Sequence, residues 1–223
     1  MMRLEKEGSG VQIKETKDFI AAVEAFEPQS QRESIEKDII CRFIKDNAAD
    51  VLTRSNAIAH MTSSAMVFNE DMTRVLMAWH NIYQSWAWTG GHADGDGDLM
   101  AVAVREAQEE TGITGLRPIT EQMISLDILT VQAHEKHGVP VNAHLHLSAC
   151  YAFVADETVP LRVKPDENSR VGWIPVDALE AYVSEPDMLP IYHKIISRSR
   201  DVRNATALRS DAAAELGQAA ADV

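Results

Sequence analysis

Three glutamates in one short segment, Glu106, Glu109 and Glu110, have the type and spacing best suited to chemistry. Separations of three and four residues place side chains on one face of a helix. Like charges so placed cost about 0.2–0.5 kcal/mol per pair in an isolated helix. They fall in the C-terminal half of the segment 98–111, where the helix dipole further disfavours negative charge. Arg105 lies four residues before Glu109 and offsets part of the repulsion, but one cation does not neutralise three carboxylates. The arrangement becomes favourable when a cation sits there, and such hard oxygen donors suit magnesium, manganese or calcium. The competing reading is a solvated acidic helix face.

The element that must position these glutamates is legible. Asp98 is a fair N-cap, Leu99, Val102, Ala103 and Ala107 form an apolar side, and Gly112 closes the helix. Before it runs a glycine-rich acidic loop, GGHADGDGD, able to bring backbone close to a ligand. Asp94, Asp96 and Asp98 resemble the start of a calcium-binding EF-hand loop. That motif needs glycine sixth and glutamate twelfth, where this chain has Leu99 and Arg105, so it is excluded.

Gly91, followed at fixed offsets by Arg105-Glu106-Ala107-x-Glu109-Glu110-x-Gly112-Ile113, resembles the box that defines the Nudix hydrolase family, G-x5-E-x7-R-E-U-x-E-E-x-G-U, with U a bulky aliphatic. Two positions depart: Ala107 replaces a larger aliphatic, and Gly97 stands where the box has its first glutamate. The resemblance extends more weakly over about residues 57–175. It implies an α/β (α+β) Nudix-type sandwich, a mixed sheet flanked by helices. It implies a hydrolase acting on a diphosphate linkage of a nucleoside diphosphate derivative or related small molecule. Glu106, Glu109 and Glu110, with the Gly90 carbonyl, would hold Mg2+ (Mn2+ possible), and Arg105 would brace the glutamates. The base that activates water varies in this family; Glu167, in a loop before a short strand, is the outside candidate, ahead of Asp166. The departure at Gly97 keeps open a ligand-binding or regulatory module with little turnover. An isoprenoid diphosphate isomerase would need a cysteine in the site, which neither Cys41 nor Cys150 is placed to supply.

His144 and His146 share one face of a strand and His92 sits in the loop. An H-x-H pair can bind zinc, but no third ligand stands at useful spacing, so lining a substrate pocket is the better expectation. Tyr83, Trp86 and Trp88 could stack on a base or pack in the core.

The rest of the chain supplies the scaffold. Helical patterns over 14–26 and from Ser30, which opens a capping box with Glu33, suggest an N-terminal extension over 1–55. Its apolar faces must cover the sheet or make a homodimer. Strand patterns over 60–80, 122–132, 143–155 and 171–174, with helices over 176–183 and 189–200, give a Nudix domain over 56–203. The alanine-rich 204–223 reads as a flexible tail. Acidic residues outnumber basic ones 34 to 21, a net charge of −13 that repels nucleic acid. No apolar run reaches a membrane span, the N-terminus lacks a signal peptide's apolar core, and the two cysteines make no metal or disulfide pattern. These features suggest a cytoplasmic protein with a small-molecule partner.

Overall fold

The computed structural model describes residues 13–136 and 138–221. At its centre lies β1, Ala59–Phe68, buried along its whole length. Alternation sends its side chains to two covered faces. Met61, Ala65 and Val67 pack with Leu99, Ala103 and Ala107 of the helix α3, Leu99–Thr111, while Met66 and Phe68 pack beneath Ile191, Tyr192, Ile195 and Ile196. The latter four belong to α5, which spans Leu189–Ala221.

The expected hairpin forms from β1 and β2, Arg74–His80, with Val67 opposite Leu76. Its turn is held by Asn69, whose side-chain oxygen accepts from the amides of Thr73 and Arg74 at 3.0 and 2.9 Å. Two short strands follow, β3 at Ser85–Ala87 and β4 at Thr89–His92. β5 is Arg117–Pro118, β6 Ser125–Val131, β7 His134–Lys136, β8 Val139–Val141, β9 His144–Val154 and β10 Asn168–Pro175. The main sheet runs β10-β2-β1-β9-β5, with β3 on β2, β4 on β1 and β6 on β9. β1 and β9 are parallel and the other pairs antiparallel, so the sheet is mixed and helices cover both faces. A 3-10 turn at Val176–Ala178 and the short α4, Leu179–Tyr182, lead into α5.

Two expectations change. The glycine-rich approach to the box is not all loop: Thr89 to His92 pair with β1, His92 opposite Thr62. Glycine's low strand propensity hid this, and packing decides it. The tail expected to be flexible from 204 is helical through Ala221. Alanine is the best helix former, so the run needs no apolar stripe to continue.

The N-terminal helices α1, Ile13–Ala25, and α2, Gln31–Asp46, bury Phe19, Val23, Ile40 and Ile44 in the same core as α3 and β9. Ser30 caps α2 by accepting from the Glu33 amide at 3.2 Å. The Glu33 carboxylate does not complete the box on Ser30. It accepts instead from the Gln29 amide at 2.7 Å and from the buried Arg198 of α5 at 2.9 and 3.0 Å. Lys194 joins Glu33 at 3.0 Å and Asp127 of β6 at 2.5 Å. The extension is thus bolted to the last helix through charges that would be costly to bury alone. Cys150 is buried and Cys41 half-buried, both as free thiols. No described helix is long and apolar enough to cross a membrane.

Candidate active site

α3 starts where Asp98 accepts from the Ala101 amide at 3.0 Å and ends at Gly112, whose φ of 73° is left-handed. Its buried side, Leu99, Val102, Ala103 and Ala107, lies against β1 and β4. This fixes the direction of the three glutamates, and each meets a different partner.

Glu110 is buried at 6% exposure and accepts from the Gly90 amide at 2.8 Å. Burial pushes its pKa up to about 8; the Gly90 hydrogen bond opposes this, while the charges of Glu167 and Glu106 add to it. Glu106 lies over Gly91: a Cβ on that glycine would come within 2.5 Å of the Glu106 carboxyl carbon. Burial and then the Glu109 charge raise the Glu106 pKa, against the pull of Lys164 and Arg105. Glu109 is more exposed and pairs with Lys164 at 3.2 Å.

Lys164 also pairs with Glu167, at 3.1 Å. Burial disfavours its charge, but hydrogen bonds to Glu167 and Glu109 outweigh that and raise its pKa. The loop that carries both residues is held to α3 by Asn168, whose buried side chain donates to the Glu110 carbonyl at 3.0 Å and accepts from the Lys164 amide at 3.1 Å. Glu167 thereby joins the helix glutamates, whereas Asp166 makes no such contact with them. Neither Lys164 nor Asn168 was legible as a site residue. A lone lysine in a polar loop carries no signal until the loop is placed.

Arg105 pairs with Asp96 at 3.1 Å and more loosely with Glu106 at 3.7 Å. Gly97, beside it, has no side chain to offer, so Asp96 supplies the carboxylate that ties the loop to the helix arginine. Asp98 is already spent on the cap.

Such a set of carboxylates, two of them with pKa values raised by burial and then by neighbouring charge, and approached by glycine backbone, can hold a hard divalent cation. Among the described residues, however, the group with all donor atoms within 4.8 Å of one another is a different one: His60, His92, His144 and His146. The expectation that the H-x-H pair has no third ligand fails, because β1 and β4 bring His60 and His92 to it. His92 is the last residue of β4 rather than part of a loop. The aromatic residues find ring partners of their own. Trp88 packs edge-on to Tyr192 at 5.4 Å, Trp86 edge-on to Trp79 at 6.1 Å, and Tyr83 stacks on His80 at 4.4 Å. A groove of 730 Å³ lined by Arg74, Asp177, His193 and Arg200 contains none of these glutamates or histidines.

A strand-loop-helix unit with this box, set on a mixed sheet between helices, defines a class of protein. The NUDIX domain family matches residues 59–196, and the chain belongs to that family. The N-terminal helices lie outside the matched region. Similar solved structures include the Escherichia coli dihydroneopterin triphosphate pyrophosphohydrolase, 18% identical, covering 61% of this chain and 94% of that one with a TM-score of 0.46. The NUDIX domain of Shewanella oneidensis NrtR complexed with ADP ribose is 16% identical over 70% and 97%, TM-score 0.47. A C. elegans Ap4A hydrolase is 16% identical over 61% and 95%, TM-score 0.42. No curated protein matches the chain.

Proposed function

We propose that the protein is a divalent-metal-dependent hydrolase that cleaves a diphosphate linkage in a nucleoside diphosphate derivative or a related small molecule. The single observation that carries this reading is the convergence of Glu106 and Glu110 on the Gly90-Gly91 backbone, which sets their carboxylates side by side with Glu109 on one helix. Glu106, Glu109, Glu110 and the Gly90 carbonyl would hold Mg2+, or Mn2+ in its place. Bound there, the ion supplies charge neutralisation for a diphosphate and a more acidic water. The protein's own part is positioning. The Gly90 amide orients Glu110, Arg105 steadies Glu106 and the loop, and Asn168 keeps the Glu167 loop against α3. Glu167 is the proposed acceptor of the proton lost by the attacking water, and Lys164 holds its carboxylate toward the helix. Because the chain carries −13, an anionic substrate needs this local positive charge to approach. A small-molecule role away from nucleic acid fits the same charge balance, and the free thiols of Cys41 and Cys150 fit a reducing cytoplasm.

The alternative is a Nudix-fold ligand-binding module, favoured by Gly97 and by the Lys164 ion pair that occupies Glu109. One experiment separates them: phosphate and pyrophosphate release from nucleoside triphosphates, dinucleotide polyphosphates and nucleoside diphosphate sugars, with Mg2+ or Mn2+, for wild type and Glu109→Gln. Turnover of one class, lowered at least about 100-fold in the variant, supports the enzyme. Ligand-induced stabilisation without product supports the binding module.

A further inference from the structure

The four histidines come from three strands. The parallel register of β1 and β9 sets His60 directly opposite His146. β4 places His92 opposite Thr62, one same-face step along β1 from His60. His144 precedes His146 by two, on the same face of β9. The C-terminal halves of β1 and β9 pack under α5 on this face, so the histidines lie at the end of the sheet beyond that helix. The rings close on one another, with centroids 4.9 Å apart for His60–His144 and His92–His146 and 5.0 Å for His60–His92 and His144–His146.

We infer that His60, His92, His144 and His146 bind one transition cation of the zinc class in a tetrahedral shell of four imidazoles, a site distinct from the glutamates of α3. Zn–N bonds of about 2.0–2.1 Å put tetrahedral donor atoms roughly 3.4 Å apart. The Nε2 atoms of His144 and His146 are 3.2 Å apart already, and all four donor atoms lie within 4.8 Å. Completing the shell needs ring rotations and a change of tautomer at His146, whose Nε2 gives up its hydrogen bond to His144.

Two further observations point to a ligand. Metal-binding imidazoles usually hold their other ring nitrogen on a carbonyl or carboxylate, which fixes the tautomer. His60 Nδ1 lies 2.9 Å from the Asn56 carbonyl and His144 Nδ1 2.8 Å from the Asn142 carbonyl, so each turns an Nε2 lone pair inward. The Nε2 of His60 is buried with no partner, a state that native proteins rarely leave uncompensated. Imidazole donors select zinc, copper or nickel over magnesium. Four protein ligands leave no place for water, which is the pattern of an ion that holds the fold together rather than one that performs hydrolysis. This inference does not rest on the hydrolase reading.

The test uses the full-length folded protein stripped with chelator and titrated with Co2+ as a spectroscopic probe, then with Zn2+. The expected result is one equivalent of Co2+ with tetrahedral ligand-field absorption, displaced by Zn2+ but not by a large excess of Mg2+. Zinc at about a hundred times its Kd raises Tm by roughly 5–10 °C. His92→Gln and His144→Gln, chosen because both side chains are only half-buried, abolish the absorption and the shift, while Glu109→Gln retains both. X-ray absorption of the zinc-loaded wild type reads four nitrogen ligands, independently of whether any variant folds. The absence of saturable binding, an oxygen-dominated shell, or loss of the signal in Glu109→Gln instead would overturn the assignment and return the histidines to pocket lining.

Discussion

The backbone amide of Gly90 donates to the Glu110 carboxylate across 2.8 Å, tying β4 to α3 at one point. The bond orients a buried carboxylate, and β4 lies tight against β1 where it forms. A Cβ on Gly90 would sit 2.5 Å from Ser64 Oγ and 2.8 Å from the Ser63 carbonyl. The backbone oxygen cannot step aside, so Gly90→Ala must push β4 away. The variant is expected to lose about 1–3 kcal/mol in urea unfolding. It should lose at least about 100-fold in kcat, because an ångström of misplacement is enough. Wild-type kcat in a folded Gly90→Ala protein would remove Glu110 from the proposed chemistry.

Asp96 and Arg105 concern the departure at Gly97. Their exposed ion pair contributes little to stability, under about 1 kcal/mol. Its proposed value is positional. Asp96→Asn is expected to lower kcat/KM by about 10–100-fold and to raise the Mg2+ concentration needed for half-maximal rate. Gly97 does not have a left-handed backbone, so a side chain there is conformationally allowed. Adding Gly97→Glu to Asp96→Asn should restore much of the rate. Steady-state kinetics of the single and double variants decide it; an inert Asp96→Asn would mean that the loop needs no such tie.

Asn168 joins the Glu167 loop to the last turn of α3 while almost fully buried. Asn168→Ala leaves the Glu110 carbonyl without this donor and should cost about 1–3 kcal/mol. If Glu167 accepts the proton, kcat should fall more in Asn168→Ala than in a surface variant of equal stability, with substrate KM changed less. A matched loss of Tm and nothing else would make Asn168 a structural residue alone.

Glu33 predicts the acid limb of stability. Burial alone would raise its pKa, but hydrogen bonds from Arg198, the Gln29 amide and Lys194 outweigh this and hold it below the usual carboxylate value. The folded protein therefore releases this proton more readily than the unfolded chain. The stabilisation is complete above the unfolded value of about 4.5 and disappears as pH falls through the lower folded value. The groups facing Glu33 are Arg198 and Lys194, and Lys194 also serves Asp127. Glu33→Gln leaves Arg198 buried beside a neutral side chain, so a loss of about 3–5 kcal/mol at pH 7 is expected. Its stability should depend less on pH below 5 than that of wild type, as followed by thermal unfolding.

Much of the candidate site's scaffold was legible because the box is local. Glu106, Glu109, Glu110, their cap at Asp98 and the closing Gly112 lie within one helix, whose period reads directly from the residues. Glu167 was an outside candidate named from the habit of the family, and its part remains a proposal. The imidazole cluster was not legible. His144 and His146 were visible as a pair, but His60 joins them only through a parallel strand pairing whose two strands are separated by most of the domain. His92 was hidden in a glycine-rich stretch whose strand character comes from packing on β1. Lys164 likewise became meaningful only when Asn168 docked its loop. In each case the missing information was a long-range register, which no local pattern carries.

The bond between Glu33 and Arg198 also says something about synthesis. The partners are 165 residues apart, so the acid leaves the ribosome long before its base exists. At about 5–20 residues per second the wait is roughly 8–33 s. Through that interval the Glu33 carboxylate has the Gln29 amide but neither Arg198 nor Lys194 to offset its burial. The final docking of the N-terminal helices on α5 therefore waits for residue 198, and α2 gains its buried ion pair only at that point.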